Sequence, residues 1–202
     1  DGYMRHEKSY RIVFVSRDKD SIYNIRKALS STHPIWQRKD DKTWNIVIFS
    51  NYIYISLLSL GCFRRKSRTV KFPDVPPQYL SDFIRGYFDG DGSVFNVEYI
   101  STKNHRERKE LRSNFTSGSR EFLDTLMRIL NKEIGLPRKQ LGVYNAGSSL
   151  KLGYGTYDTH KLLRFMYYPN HSLGLKRKSR FVQTLPTVSL PQWRNQYTIK
   201  TS

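Results

Sequence analysis

Residues 80–94 read LSDFIRGYFDGDGSV, an apolar segment with two glycines four apart that ends in closely spaced carboxylates. Gly86 and Gly90 share one face of a helix, and without side chains there a second helix backbone can come unusually close. The spacing predicts a tight two-helix seam. Asp91 falls where the helix gives way at Gly92, and the macrodipole disfavours a negative charge at a helix C-terminus. A divalent cation would compensate it, because carboxylate oxygen is the ligand that Mg²⁺ prefers, with waters and phosphate oxygens completing its shell.

The segment opens the second of two repeats. FVSRDKDSIYNIRKAL (14–29) aligns without a gap on FTSGSREFLDTLMRIL (115–130), placing Phe14 on Phe115, Ser16 on Ser117, Ile22 on Leu123 and Leu29 on Leu130, an offset of 101. The pairs Asp1-Gly2 and Asp91-Gly92 are offset by 90, and the RKSR runs at 65–68 and 177–180 by 112. This growth asks for two extra stretches in the second half, one near STKNHRERKE (101–110) and one between Asn131 and Leu150. Each half then reads as strand, strand, helix, strand, strand, helix, from alternation in YRIVFVS, WNIVIFS, SVFNVEYI and LRSNFTS and from three-to-four spacing in the helices. Asp18 and Ser119 are the expected N-caps. In LRSNFTS, Leu111 and Phe115 share one face while Arg112, Asn114 and Thr116 share the other, which is wet or binds something. KFPDVPPQYL (71–80), with three prolines, sets the boundary. The expected units are 1–76, 77–185 and a tail at 186–202.

Thirty-five Lys and Arg against seventeen Asp and Glu give a net charge of +18. Such a surface repels itself and points to a polyanion, nucleic acid first. An apolar fraction of 38% suffices for a real core and excludes disorder of the whole chain. A single cysteine, Cys62, rules out a disulfide framework within the chain, and no Cys/His spacing suits zinc. No apolar run reaches the ~18 residues of a membrane helix, and DGYMRHEKSY lacks the apolar centre of a signal peptide. The expectation is an intracellular protein of a bacterial or archaeal cytoplasm or an organelle, with no membrane partner.

IRGYFDGDG (84–92) resembles the LAGLIDADG motif of homing endonucleases, with Asp91 at the final acidic position, and Asp1-Gly2 resembles the end of a first copy. The resemblance implies an α+β fold of two pseudo-twofold αββαββα repeats. The motif helices lie at the centre, and two four-stranded antiparallel sheets form a saddle on duplex DNA. It implies a monomeric, Mg²⁺-dependent enzyme of intron homing that cuts both strands of a long asymmetric site. Mn²⁺ could replace Mg²⁺, and Ca²⁺ would occupy a non-cleaving complex. Asp91 and Asp1, beside Gly90 and Gly2, would hold metal. Lys66 and Lys178 would stabilise charge on the scissile phosphates or order the attacking water, with Lys176 a rival to Lys178. Arg65 and Arg177 would contact DNA, and Ser16 and Ser117 match positions of polar supporting residues. The helix that should precede Asp1 has no counterpart in the sequence. Residues upstream of Asp1 are therefore expected to be missing, which would leave Phe83, Tyr87 and the two glycines with an exposed apolar face.

Base readers are expected on sheet faces that fit the major groove. Asn96, Glu98, Arg112 and Asn114 are the candidates on solvent faces, with Arg38, Lys39, Lys139 and Gln140 near strand ends. The start of a calcium loop at DGDGS fails at Val94 and Ile100, where glycine and glutamate are needed. Glu107-Arg108-Lys109 could be scored as another nuclease signature, but it lies in a charge-dense hairpin. The open alternative is a non-cleaving DNA or RNA binder on the same scaffold, an intron-splicing maturase or a transcriptional regulator.

Overall fold

The computed structural model describes residues 2–6, 9–63, 68–102, 105–144 and 147–183. Asp1, Arg65, Lys66 and the tail at 186–202 lie outside the described residues. In the first half, strands β1 (Gly2–His6) and β2 (Tyr10–Ser16) lead into helix α1 (Lys19–Ala28), and β3 (Ile35–Gln37) and β4 (Trp44–Phe49) lead into α2 (Asn51–Ser59). A 3-10 turn at Pro77–Tyr79 then runs into α3 (Leu80–Asp91). After it come β5 (Gly92–Ile100), β6 (Glu107–Ser117), α4 (Arg120–Ile134), β7 (Gly142–Tyr144), β8 (Ser149–Tyr154), α5 (Thr156–Met166) and α6 (Lys176–Gln183). Both sheets are four-stranded and antiparallel, in the matching orders β1-β2-β4-β3 and β5-β6-β8-β7. The architecture is the expected α+β one, with the two halves in the same strand order.

The repeat is visible in the register itself. Gly2 pairs with Phe14 and Gly92 pairs with Phe115, so these two glycines each open an edge strand opposite a phenylalanine at the matching repeat position. Ser16 Oγ accepts from the Asp18 N–H at 3.0 Å and Ser117 Oγ from the Ser119 N–H at 3.1 Å, the same turn before each helix. These serines therefore end strands and start helices. The N-caps fall on Asp18 and Ser119, and Ser119 Oγ also accepts from the Phe122 N–H at 3.2 Å. Part of the extra length expected near 101–110 lengthens the β5–β6 hairpin, whose strands have 9 and 11 residues against 5 and 7 in β1 and β2. Part of the second insertion extends α4 to 15 residues against 10 in α1. α4 stops at Gly135, whose φ of +64° lies in the left-handed region that costs glycine nothing.

Each sheet buries one face under its helices. Leu123, Leu126 and Leu130 of α4 are fully buried against Phe115 and Leu152, each contributing about 1.5–3 kcal/mol. The first half has a smaller core of Ile12, Ile22, Ile46, Ile48 and Tyr54, and its α2 leaves Tyr52 and Ile55 exposed. Cross-strand partners share a face, so the register assigns the opposite face of the first sheet. It carries Tyr3, Val13 and Val47 in one row and Arg5, Arg11 and Phe49 in the next, with Val15, Asn45 and Trp36 in a third. No helix among the described residues is long and apolar enough to cross a membrane.

Candidate active site and nucleic-acid interface

The last turn of α3 is built from the inside outward. Ile84 and Phe88 are fully buried and fix which face of the helix meets the sheet. Arg85, also buried, donates from Nη1 to the Met166 carbonyl at 2.9 Å and pairs through Nη2 with Asp82 at 2.7 Å. Asp89 accepts from the Tyr167 hydroxyl at 2.5 Å and from the Leu175 N–H at 3.0 Å, so the first of the two closely spaced carboxylates is spent tying α3 to the segment before α6. Asp91, two residues on, is exposed at the helix end.

Beneath Asp91 lies Lys178, 3% exposed. Its Nζ donates to the carbonyls of Phe88 at 2.5 Å, Asp89 at 3.0 Å and Gly92 at 2.7 Å, and sits 4.9 Å from the centre of the Phe88 ring. An ammonium has three N–H donors, and all three are directed at the C-terminal carbonyls of α3, where the macrodipole favours a cation. Burial pulls the Lys178 pKa down to about 8, with Asp89 opposing. The group is therefore charged at pH 7. The Asp91 carboxyl is shifted the other way: crowding by protein on one side raises its pKa above the ordinary carboxylate value, and Lys178 lowers it in part.

Gly92 marks the exit from the helix. A Cβ built there would stand 2.3 Å from the Phe88 ring and 2.7 Å from the Phe88 carbonyl oxygen, so any side chain would displace the turn that carries Asp91. Gly92→Ala is expected to cost about 1–3 kcal/mol by overpacking, visible as a lowered melting temperature. An unchanged melting temperature would show that this contact relaxes freely.

Gly86 and Gly90 are exposed, and among the described residues nothing lies within 4 Å of an added Cβ, so the described structure places no partner on the seam face of α3. The exposure expected for Phe83 and Tyr87 does not occur. Phe83 packs edge-on against Phe72 at 5.0 Å, and Tyr87 stacks on Phe115 while donating its hydroxyl to the Thr116 carbonyl at 2.7 Å. These rings follow the sheet and α4 rather than the glycine face.

The other candidate residues divide by register. Arg112 and Asn114 lie on the helix-free face of the second sheet, as the alternation in LRSNFTS requires, but only Arg112 is exposed there; Asn114, expected on a solvent face, is 8% exposed between the flanking strands β5 and β8. Asn96 and Glu98 reach solvent on the opposite side, because they pair with Leu111 and Lys109, and Glu98 is bridged to Lys109 at 2.7 Å. Arg38 is held by Asp40 at 2.5 Å beside Lys39 in the β3–β4 turn. Lys139 stands 3.8 Å from Asp158, and Gln140 beside it is exposed. Arg177 is exposed, and Lys176 is bridged to Asp20 at 2.5 Å across the two halves. Gly2 opens β1, and an added Cβ would stand 3.1 Å from the Val13 carbonyl oxygen. No group of three or more His, Cys, Asp or Glu able to hold a metal is found among the described residues.

A family model described as a LAGLIDADG-like domain matches residues 78–148. A probable translation initiation factor IF-2 of Thermococcus kodakarensis is 35% identical over 71 residues, 33% of this chain and 5% of that protein, so this chain spans only a small part of that relative's length. Among solved structures, the chain is similar in fold to the I-LtrWI LAGLIDADG homing endonuclease bound to target DNA, with TM-score 0.59 and 11% identity, covering 89% of this chain and 83% of that one. It is also similar in fold to I-SmaMI bound to uncleaved DNA target in the presence of calcium ions, with TM-score 0.58 and 11% identity, covering 90% of this chain and 83% of that one.

Proposed function

We propose that this chain, which carries a LAGLIDADG-like domain within the two-sheet fold of the LAGLIDADG homing endonucleases, is a site-specific, divalent-metal-dependent DNA endonuclease. The observation that supports this most directly is Asp91. It is an exposed carboxylate at the C-terminal end of a helix, raised in pKa, on a turn whose Phe88, Asp89 and Gly92 carbonyls are held by the Lys178 ammonium. An anion in that position is stabilised by a cation, and Mg²⁺ takes one or two protein carboxylates with waters and phosphate oxygens. Asp91 would hold such an ion, with Gly90 beside it. A bound divalent ion supplies Lewis acidity and a more acidic water for in-line phosphodiester hydrolysis.

This chain's own residues would position the ion's ligand and the DNA. Lys178 anchors the α3 end from below, and the bare backbone at Gly86 and Gly90 leaves room for close approach at the seam. By repeat position, Asp1, Gly2 and Lys66 take the matching roles for the second strand, and Arg65 and Arg177 the phosphate contacts. The helix-free faces of the two sheets, with the +18 charge, would meet a long duplex site. Binding is expected to fall steeply with salt, by roughly 10³–10⁵ between about 50 and 200 mM if six to ten phosphates are neutralised. A salt-independent affinity would count against a duplex partner.

A second reading, a non-cleaving DNA or intron-RNA binder such as a maturase or regulator, is favoured by one observation. The three donors of Lys178 are already engaged by carbonyls, which leaves that lysine none for a phosphate. The deciding experiment selects duplexes from a random pool on the full chain and assays them for nicking and cutting with Mg²⁺ and with Ca²⁺. Metal-dependent cutting in Mg²⁺ supports the enzyme; selective binding without any cutting leaves the binder.

A further inference from the structure

The helix-free faces of the two sheets carry an arginine at the same place. Arg11 of β2 and Arg112 of β6 align at the repeat offset of 101, each on the inner strand next to its sheet's edge strand. Both stand on the helix-free side, since Ile12 and Leu111 beside them belong to the cores. Elsewhere on these strands the faces diverge: Val13 and Val15 stand where the second half has Asn114 and Thr116, and Arg5 faces Arg11 where Phe95 faces Arg112. Arg112 is also oriented in advance. Its Nε and Nη2 donate to one oxygen of Glu110 at 3.1 Å and 2.9 Å, and the other Glu110 oxygen accepts from the Tyr99 hydroxyl at 2.5 Å. A guanidinium has five N–H donors, so three remain, including a parallel pair at its outer end. An exposed ion pair contributes little stability. What this network supplies is a fixed guanidinium plane on a side chain that is 47% exposed, so less freedom is lost when a ligand binds.

Resting on the duplex-DNA reading above, we propose that Arg11 and Arg112 each read a guanine, at positions mirrored about the centre of the site, and that Tyr99 and Glu110 position Arg112 to do so. The end of an arginine fork matches O6 and N7 of guanine, a pair of acceptors that no other base presents in the major groove. Inner strands face the floor of the groove, where base edges lie, whereas edge strands are nearer its phosphate rims. Two repeats that meet a duplex across a pseudo-twofold set matching residues at equal distances from its centre, on opposite strands. Because the residues around the two arginines differ, the mirrored guanines lie in an otherwise asymmetric sequence.

The test selects duplexes from a random pool on the full chain. Guanine is expected at two positions equidistant from the centre, on opposite strands. Arg112→Ala should lower the preference for guanine at one of them by about 5- to 150-fold, the worth of one bidentate pair, and Arg11→Ala should do the same at the other. Replacing either guanine by 7-deazaguanine, which lacks the N7 acceptor, should weaken binding to the parent chain and leave binding to the matching alanine variant unchanged. That comparison is made within each protein, so a loss of stability in a variant does not mimic it. Glu110→Ala should lower the guanine preference at the Arg112 position and spare the mirrored one; an intact preference at both would overturn the positioning role. A selected site without mirrored guanines overturns the inference while the DNA reading stands. So does an alanine variant that binds all four bases equally more weakly with a smaller salt dependence, as the loss of a phosphate contact would give. A chain that selects no duplex sequence at all overturns that reading, and the inference with it.

Discussion

Asp91→Asn is expected to reduce metal-dependent cleavage by about 10³-fold, on the scale of removing one preorganised electrostatic group from a reacting centre, while the selected duplex is still bound. The substitution keeps the shape of the side chain and removes the charge that would hold the ion. Its effect on stability should have the opposite sign. A carboxylate at a helix C-terminus opposes the macrodipole, so the neutral amide should gain about 0.3–1 kcal/mol. A slightly higher melting temperature with lost activity separates a functional carboxylate from a structural one. Asp89→Asn provides the contrast, since Asp89 accepts from Tyr167 and Leu175 and its loss loosens the link between α3 and α6. That variant should melt earlier. Cleavage of the selected duplex in Mg²⁺, and binding in Ca²⁺, are the measurements; full cleavage by Asp91→Asn would remove the basis of the proposed enzyme.

The fold was legible because its signals are local and occur twice. The gapless match of 14–29 on 115–130 covers a strand, a turn and a helix in each half, and the same serine ends each strand. The position of Asp91 at a helix end was legible for the same reason, from Gly92 and the strand alternation after it. The side on which Asn96 and Glu98 lie was not, because it depends on Gly92 pairing with Phe115, a contact between segments that are far apart in sequence. Nor was the sharing of labour between Asp89 and Asp91, which depends on where Tyr167 and Leu175 arrive. The burial of Lys178 had a signal that charge concealed. Leu175, Lys178 and Val182 recur at helical spacing, and the apolar members of that stripe pack on the core, but a run reading KRKSR suggests a solvated face.

Lys178→Met is expected to destabilise the fold by about 2–4 kcal/mol, the cost of leaving buried carbonyls without the donor they face. For a domain of this size that corresponds to a melting temperature lower by about 5–15 °C. Methionine fills most of the volume of the lysine stem, so the loss reports on the ammonium rather than on a cavity. The pH dependence gives an independent check. The unfolded chain holds this proton up to the ordinary value of 10.5, whereas the fold releases it near 8. Between those values the unfolded state binds more protons, so stability gains from this group as pH rises from about 8 toward 10.5. The methionine variant should lack that gain, and the difference between the two melting curves should widen over the same window. Cleavage separates the two roles this lysine could have. If Lys178 supports Asp91 from below, the variant should still cut when assayed well under its melting temperature, with a weakened response to metal. If the folded variant binds duplex and metal normally and does not cut at all, the ammonium acts on the phosphate itself, and the carbonyl cage is the resting state from which it is drawn.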